Sequence, residues 1–202
     1  MAINLQKGQK INLKKADGSS LSKIMVGLGW DEAEQKKSGG FLSSIFGSKP
    51  DNIDCDASVI LCKGGKFKDD DDIVFFGNLT HNSGAVKHMG DNLTGEGEGD
   101  DEQIFVDLNK LPADYDRLVF VVNIYRAEER KQHFGMIRNA FIRIVDVEGH
   151  TELCRYNLSD NYDEMLAMVA GEVYRKNNEW KFNAIGNGTK DKSLKELTRR
   201  FA

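Results

Sequence analysis

Lys-Ile-Met-Val-Gly-Leu-Gly-Trp, residues 23–30, sets the period on which the rest of the chain can be read. Ile24, Val26, Leu28 and Trp30 alternate with Met25, Gly27 and Gly29, as in a strand with one buried face. Comparable short apolar runs recur at 56–62, 73–76, 103–108, 117–125, 140–147, 152–156, 171–174 and 179–185. Turn-forming clusters separate them at 63–66, 82–84, 148–149 and 176–178. Many short strands joined by hairpin signals predict a mainly β protein, an antiparallel β-sandwich, rather than alternating strands and helices.

Two segments depart from the period of two. Residues 162–170 carry Met165, Leu166, Met168 and Val169 behind the possible caps Ser159 and Asp160, which suits a short helix or an edge strand. In the last segment, 191–202, Ser193-Leu-Lys-Glu reads as a capping box with Leu194, Leu197 and Phe201 on one face. That spacing predicts a C-terminal helix packed on the sandwich.

The 202 residues, 40% apolar and 30% charged with only two prolines, suit one folded domain over 1–202. Residues 33–50 interrupt it as a loop insertion rich in Gly, Ser and Lys around Phe41, Leu42, Ile45 and Phe46. The insertion reads either as a surface loop or as an apolar patch that recruits a partner.

Acidic residues gather at 69–72, 91–102 and 160–164, whereas Lys190, Lys192, Lys195, Arg199 and Arg200 lie near the end. With a net charge of −4, this distribution argues against direct nucleic-acid binding, which needs a basic face. The run at 69–72 is expected to be solvated. No long apolar run offers a signal or a membrane span, so a cytoplasmic protein without membrane insertion is expected. Cys55, Cys62 and Cys154 fit neither a zinc site nor a disulfide framework and are expected to be reduced and mostly buried.

Between Asp91 and Glu102 stand six carboxylates, and no Lys or Arg occurs between Lys87 and Lys110. Such crowding is unfavourable unless water screens it or a cation sits within it. Gly95-Glu-Gly-Glu-Gly alternates acids with residues that permit tight curvature, so carbonyl oxygens as well as carboxylates can be aimed at one centre. Calcium is held by such mixed hard oxygens. An EF-hand is excluded, because Leu93, Gly95 and Glu96 occupy positions where that loop needs two oxygen ligands and then a glycine. Asp54 and Asp56, at i and i+2 before a strand, share a face about 6–7 Å apart, with Cys55 on the other side. Asp31 is either a further contributor or a turn residue. The scattered histidines form no HExxH, and no GxSxG elbow is present, so no enzyme is expected.

The string GDNLTGEGEGDDE at 90–102, with VGLGWD at 26–31 and IDCDAS at 53–58, resembles the bacterial TerD family, associated with tellurite resistance and general stress. FGMIRNAFIR at 134–143, ELCRYNL at 152–158, GEVYR at 171–175 and EWKF at 179–182 extend the similarity over nearly the whole chain. The resemblance implies a calcium-binding β-sandwich that acts as a non-catalytic scaffold. By position it assigns Asp54, Asp56, Asp91, Asn92, Thr94, Glu96, Glu98, Asp100, Asp101 and Glu102 to two Ca²⁺ ions. Implied partners are other proteins of a stress or tellurite-resistance complex, including membrane-associated ones. Two alternatives stand beside this reading: a calcium-dependent binder of a small anion such as a nucleotide, and a metal-dependent hydrolase.

Overall fold

The computed structural model describes residues 2–32, 52–90 and 99–202. The 33–50 insertion and five assigned ligands, Asp91, Asn92, Thr94, Glu96 and Glu98, lie outside them. Among the described residues, twelve strands form two six-stranded sheets. They are β1 (Ile3–Leu5), β2 (Lys10–Asn12), β3 (Lys23–Glu32), β4 (Cys55–Lys63), β5 (Ile73–Val74), β6 (Val86–His88), β7 (Glu102–Asp107), β8 (Tyr115–Ile124), β9 (Ile137–Asp146), β10 (Thr151–Asn157), β11 (Ala167–Lys176) and β12 (Glu179–Thr189). The first sheet runs β1-β10-β9-β3-β7-β6 and the second β2-β12-β11-β8-β4-β5. All pairs are antiparallel except β1 with β10, a parallel exception to the expected sandwich.

Alternation decides which side chains meet between the sheets. Ile24, Val26 and Leu28 from β3, beside Ile104 and Val106 from β7 and Ile142 and Ile144 from β9, share one core cluster with Phe120 and Phe182 from the opposite sheet. Each fully buried aromatic or branched aliphatic side chain here contributes about 1.5–3 kcal/mol relative to exposure. The three free thiols are buried.

A second apolar layer lies on the outer face of the second sheet. Ile60, Cys62, Val119, Val121, Ala167 and Val169 pack there beneath Leu197, Leu194 and Phe201. The covering element is α2 (Leu194–Thr198) followed by a 3₁₀ turn, Arg199–Phe201. Ser193 caps it by accepting the Glu196 amide. Glu196, however, reaches the amide of Lys192 at 2.8 Å rather than that of Ser193, so the box closes one residue early.

The helical reading of 162–170 is overturned. Residues 167–170 open β11, a central strand between β12 and β8, and a turn at 162–165 precedes it. Met168 and Ala170 face the inter-sheet core while Ala167 and Val169 face the layer under α2. A strand covered on both faces loses its alternation and reads as a continuous apolar run. A short helix, α1 (Ala127–Arg130), follows β8 and had no signal in the sequence reading.

The acidic run at 69–72 is only partly solvated. Asp72 is 4% exposed: its Oδ1 accepts from the Tyr115 hydroxyl and faces His81 Nε2 at 3.2 Å, and Lys63 Nζ lies 3.6 Å from Oδ2.

Candidate metal centre

One end of the sandwich collects the acids. Cys55 opens β4 facing the core, and the charges of Asp56, Glu102, Asp54 and Asp101 all act on its thiol. Burial first, and then those carboxylates, push the thiol well above its ordinary range. The Asp-x-Asp pair and the far end of the acidic loop are therefore neighbours. Asp56 pairs with Asn123 of β8 in register, and Asp54 sits just before the strand, exposed, with Arg130 of α1 at 3.8 Å.

Three consecutive acids leave the loop in three directions. Asp100 turns onto the outer face of the first sheet, where its side chain is fully buried. Arg143 of β9 meets both oxygens, Nε to Oδ1 at 2.7 Å and Nη2 to Oδ2 at 2.9 Å, and its remaining nitrogen reaches Glu152 at 2.8 Å. Those carboxylates hold the guanidinium well above its ordinary pKa. Gly27 makes this seat possible, since a Cβ there would stand 2.2 Å from Asp100 Oδ1.

Asp101 stays at the end of β3. Its amide donates to Leu28 at 2.8 Å, and its Oδ2 accepts the Trp30 amide at 2.6 Å. Burial raises its carboxyl pKa, with the charges of Asp31 and Asp100 adding to the rise and the Trp30 hydrogen bond opposing it.

Glu102 points between the sheets. Its Oε2 accepts the Ala57 amide at 2.7 Å, an edge donor of β4 to which β5 does not extend. His88, 1% exposed, lies 3.1 Å from the same oxygen and 3.2 Å from the Ala57 carbonyl through Nε2. Its Nδ1 accepts the Gly90 amide at 3.0 Å, so the ring proton belongs on Nε2. One histidine thus touches the residue before the acidic loop, the loop's last acid, and a strand of the opposite sheet.

Beside this end lies an open cleft of about 1170 Å³, lined by Trp30, Asp31, Asp101, Arg138, Phe141 and Arg155 among others. Asp31 accepts from the Asn139 side chain at 2.8 Å, and the Arg155 guanidinium carbon lies over the Phe141 ring, 3.8 Å from its centroid.

The assigned calcium ligands do not fare alike when judged by their neighbours. Asp101 and Asp31 line one cleft, and after burial the charge of Asp31 adds to the rise in the Asp101 carboxyl, a surplus that a divalent cation would relieve. Asp54 and Asp56 stand at the same end. Asp101 gives one oxygen to the Trp30 amide and Asp31 one to Asn139, whereas Asp100 has both oxygens on Arg143 and Glu102 holds the buried Ala57 amide, donors that a cation would have to displace. Arg143 and His88 had no signal in the sequence: an Arg on an alternating strand and a lone His are ordinary, and only the fold brings them to the loop.

Near the loop's start, Phe76, Leu79 and Met89 are 56%, 42% and 53% exposed. On the neighbouring turn, His81 Nδ1 lies 2.7 Å from Ser83 Oγ, and its Nε2 faces Asp72, an arrangement resembling a hydrolytic triad. The Ser83 oxygen, however, accepts the Ala85 amide and closes the turn.

Residues 1–201 match the TerD domain. The chain is 53% identical to Stress response protein SCP2 of Bacillus subtilis (strain 168) over 100% of both chains. It is 46% identical to General stress protein 16U of the same organism over 93% of this chain and 91% of the relative. Against Tellurium resistance protein TerD of Serratia marcescens the identity is 41%, with 93% and 91% covered. A solved structure described as a homologue of telluride resistance protein (TerD), from Streptomyces coelicolor A3(2), shares the fold at a TM-score of 0.62 and 18% identity, covering 91% of this chain and 99% of that one.

Proposed function

Because the chain belongs to the TerD domain family, whose relatives include stress-response and tellurium-resistance proteins, we propose that it is a calcium-binding, non-catalytic scaffold of that response. The observation that carries this reading is that Asp54, Asp56 and Asp101 lie at one end of the sandwich, near enough for their charges to act on the Cys55 thiol, with Asp31 and Asp101 lining one cleft; the described residues alone form no group of three metal-ligating side chains. The glycine-rich acidic stretch 91–98 is attached there at both ends, through Gly90 and Gly99. Bound calcium supplies positive charge to a set of hard oxygens, and a curving, many-carboxylate loop suits it better than magnesium, which demands a tight octahedron.

Non-catalytic action is supported by the buried histidines. His81 and His88 are buried and neither lines the cleft, so neither is placed as a general base there. The exposed side chains of Phe76, Leu79 and Met89 beside the loop's start suit recruitment of other proteins of a stress complex. No helix among the described residues is long and apolar enough to cross a membrane. The cytoplasm is the proposed compartment, since the free, buried thiols suit a reducing one.

Isothermal titration of chelator-treated protein with calcium tests this reading. Heat with a stoichiometry near two, and a rise in Tm, are expected; no heat and no shift at millimolar ion remove it. A second reading is favoured by Arg155 on Phe141 and by Arg138 in the same cleft: a small anion bridged to the ion. It requires that a nucleotide or inorganic oxyanion raise Tm only when calcium is present.

A further inference from the structure

The three acids that close the loop are not equivalent. We propose that Asp100 and Glu102 are the posts on which the acidic loop stands rather than ligands of its cation, and that Arg143 and His88 are the positioning residues that set those posts. The proposal deepens the calcium reading above and rests on it for the word ligand; the posts themselves are defined by protein contacts.

Asp100 carries the argument on the outer face. A buried carboxylate with a guanidinium on both oxygens is neutralised in place, and Gln103 Nε2 adds a third contact at 3.1 Å. Withdrawing it toward a cation would leave Arg143 with Glu152 alone and would empty the seat above Gly27. Removing one partner of such a pair is strongly unfavourable, because the other charge stays buried.

Glu102 carries the argument between the sheets. Its Oε2 serves the only described acceptor role for the Ala57 amide, and an unmet buried amide is costly. His88 fixes the geometry from the other side, joining Gly90 at the loop's start to Glu102 at its end. Both feet of the loop are thereby set by neutral or charge-paired contacts that need no ion. Asp101, between the two posts, gives one oxygen to the Trp30 amide and lines the cleft together with Asp31.

The two assignments predict opposite signs for one substitution. If Asp100 were a ligand restrained by Arg143, Arg143→Gln would free it and tighten calcium. If Asp100 is a post, the same change leaves calcium affinity unchanged or weaker and lowers the metal-free Tm. We expect Arg143→Gln and Asp100→Asn each to lower the Tm in EDTA by about 5 °C or more, with a double variant much less damaged than the sum. The double variant, which buries no unpaired charge, also guards against a single variant that does not fold.

Calorimetry then reads the role. The double variant and Glu102→Gln should keep the wild-type number of bound calcium ions, whereas Asp101→Asn should lose an ion or about tenfold in affinity with little change in metal-free Tm. Tighter calcium binding by Arg143→Gln, or a lost ion in the double variant or in Glu102→Gln, overturns the proposal. Should the wild-type protein bind no calcium, the scaffold reading fails instead. The metal-free melting data then decide the posts alone: coupling of Asp100 with Arg143 supports them and simple additivity overturns them.

Discussion

A methyl group at position 27 would fall 2.2–2.5 Å from all three carboxyl atoms of Asp100, so Gly27→Ala must dislodge either the acid or the strand. The expected cost is about 1–3 kcal/mol, read by urea denaturation in EDTA. Relief of that cost in an Asp100→Ala background would show that the clash, not strand propensity, is responsible. For the Asp-x-Asp pair, Asp54→Asn with Asp56→Asn should weaken calcium more than Asp70→Asn with Asp71→Asn, both of which are exposed acids away from the cleft. Equal effects would relocate the centre. The thiols give a prediction in pH. Burial pushes Cys62 up to about 11 and Cys154 up to about 12 from an ordinary 9.0, so both stay protonated in the fold while the unfolded chain ionises. Stability is therefore intact below about pH 9 and falls as pH rises through the folded values. Ellman's reagent at about pH 8 should find no reactive thiol until denaturant is added, and then three.

At the level of elements, α2 is short for a helix yet closes an entire sheet face. Five helical residues have little intrinsic stability, so its place depends on packing and on its cap. Leu197, fully buried over Val119 and Val121, should cost about 2–5 kcal/mol when cut to Ala. Ser193→Ala should cost about 0.5–2 kcal/mol, because the Glu196 amide loses its side-chain acceptor and keeps only the Ser193 carbonyl. Chemical denaturation with a fluorescent reporter of exposed apolar surface separates local peeling of the tail from global unfolding. The same region marks what the sequence could and could not reveal. Alternation at 23–30 was legible because one face of β3 meets the core and the other carries Lys23, two glycines and only one large apolar side chain, Met25. Residues 167–170 were not, since the tail converts their outer face into a second interior. The Asp-x-Asp pair was legible from local spacing, whereas the roles of Asp100 and Glu102 depend on partners 43 and 14 residues away. No local pattern encodes such pairings.

Across the whole molecule, the acidic end and the covered face of the second sheet are separate features of one sandwich. Loading the acidic end should therefore stabilise the fold by mass action, about 2.7 kcal/mol at a hundredfold excess over Kd, without changing the exposure of the layer beneath α2. Hydrogen exchange with and without calcium checks this: protection should rise at residues 28–31, 54–57 and 99–102 and stay constant at 194–201.

Both sheets end in very short strands, β1 and β6 on one and β2 and β5 on the other, each of two or three residues. A neighbouring molecule seeking to extend either ladder finds too few consecutive main-chain donors and acceptors to grip. The architecture consequently resists fibrillar polymerisation even at high abundance, leaving association to side-chain surfaces such as that around Phe76 and Met89.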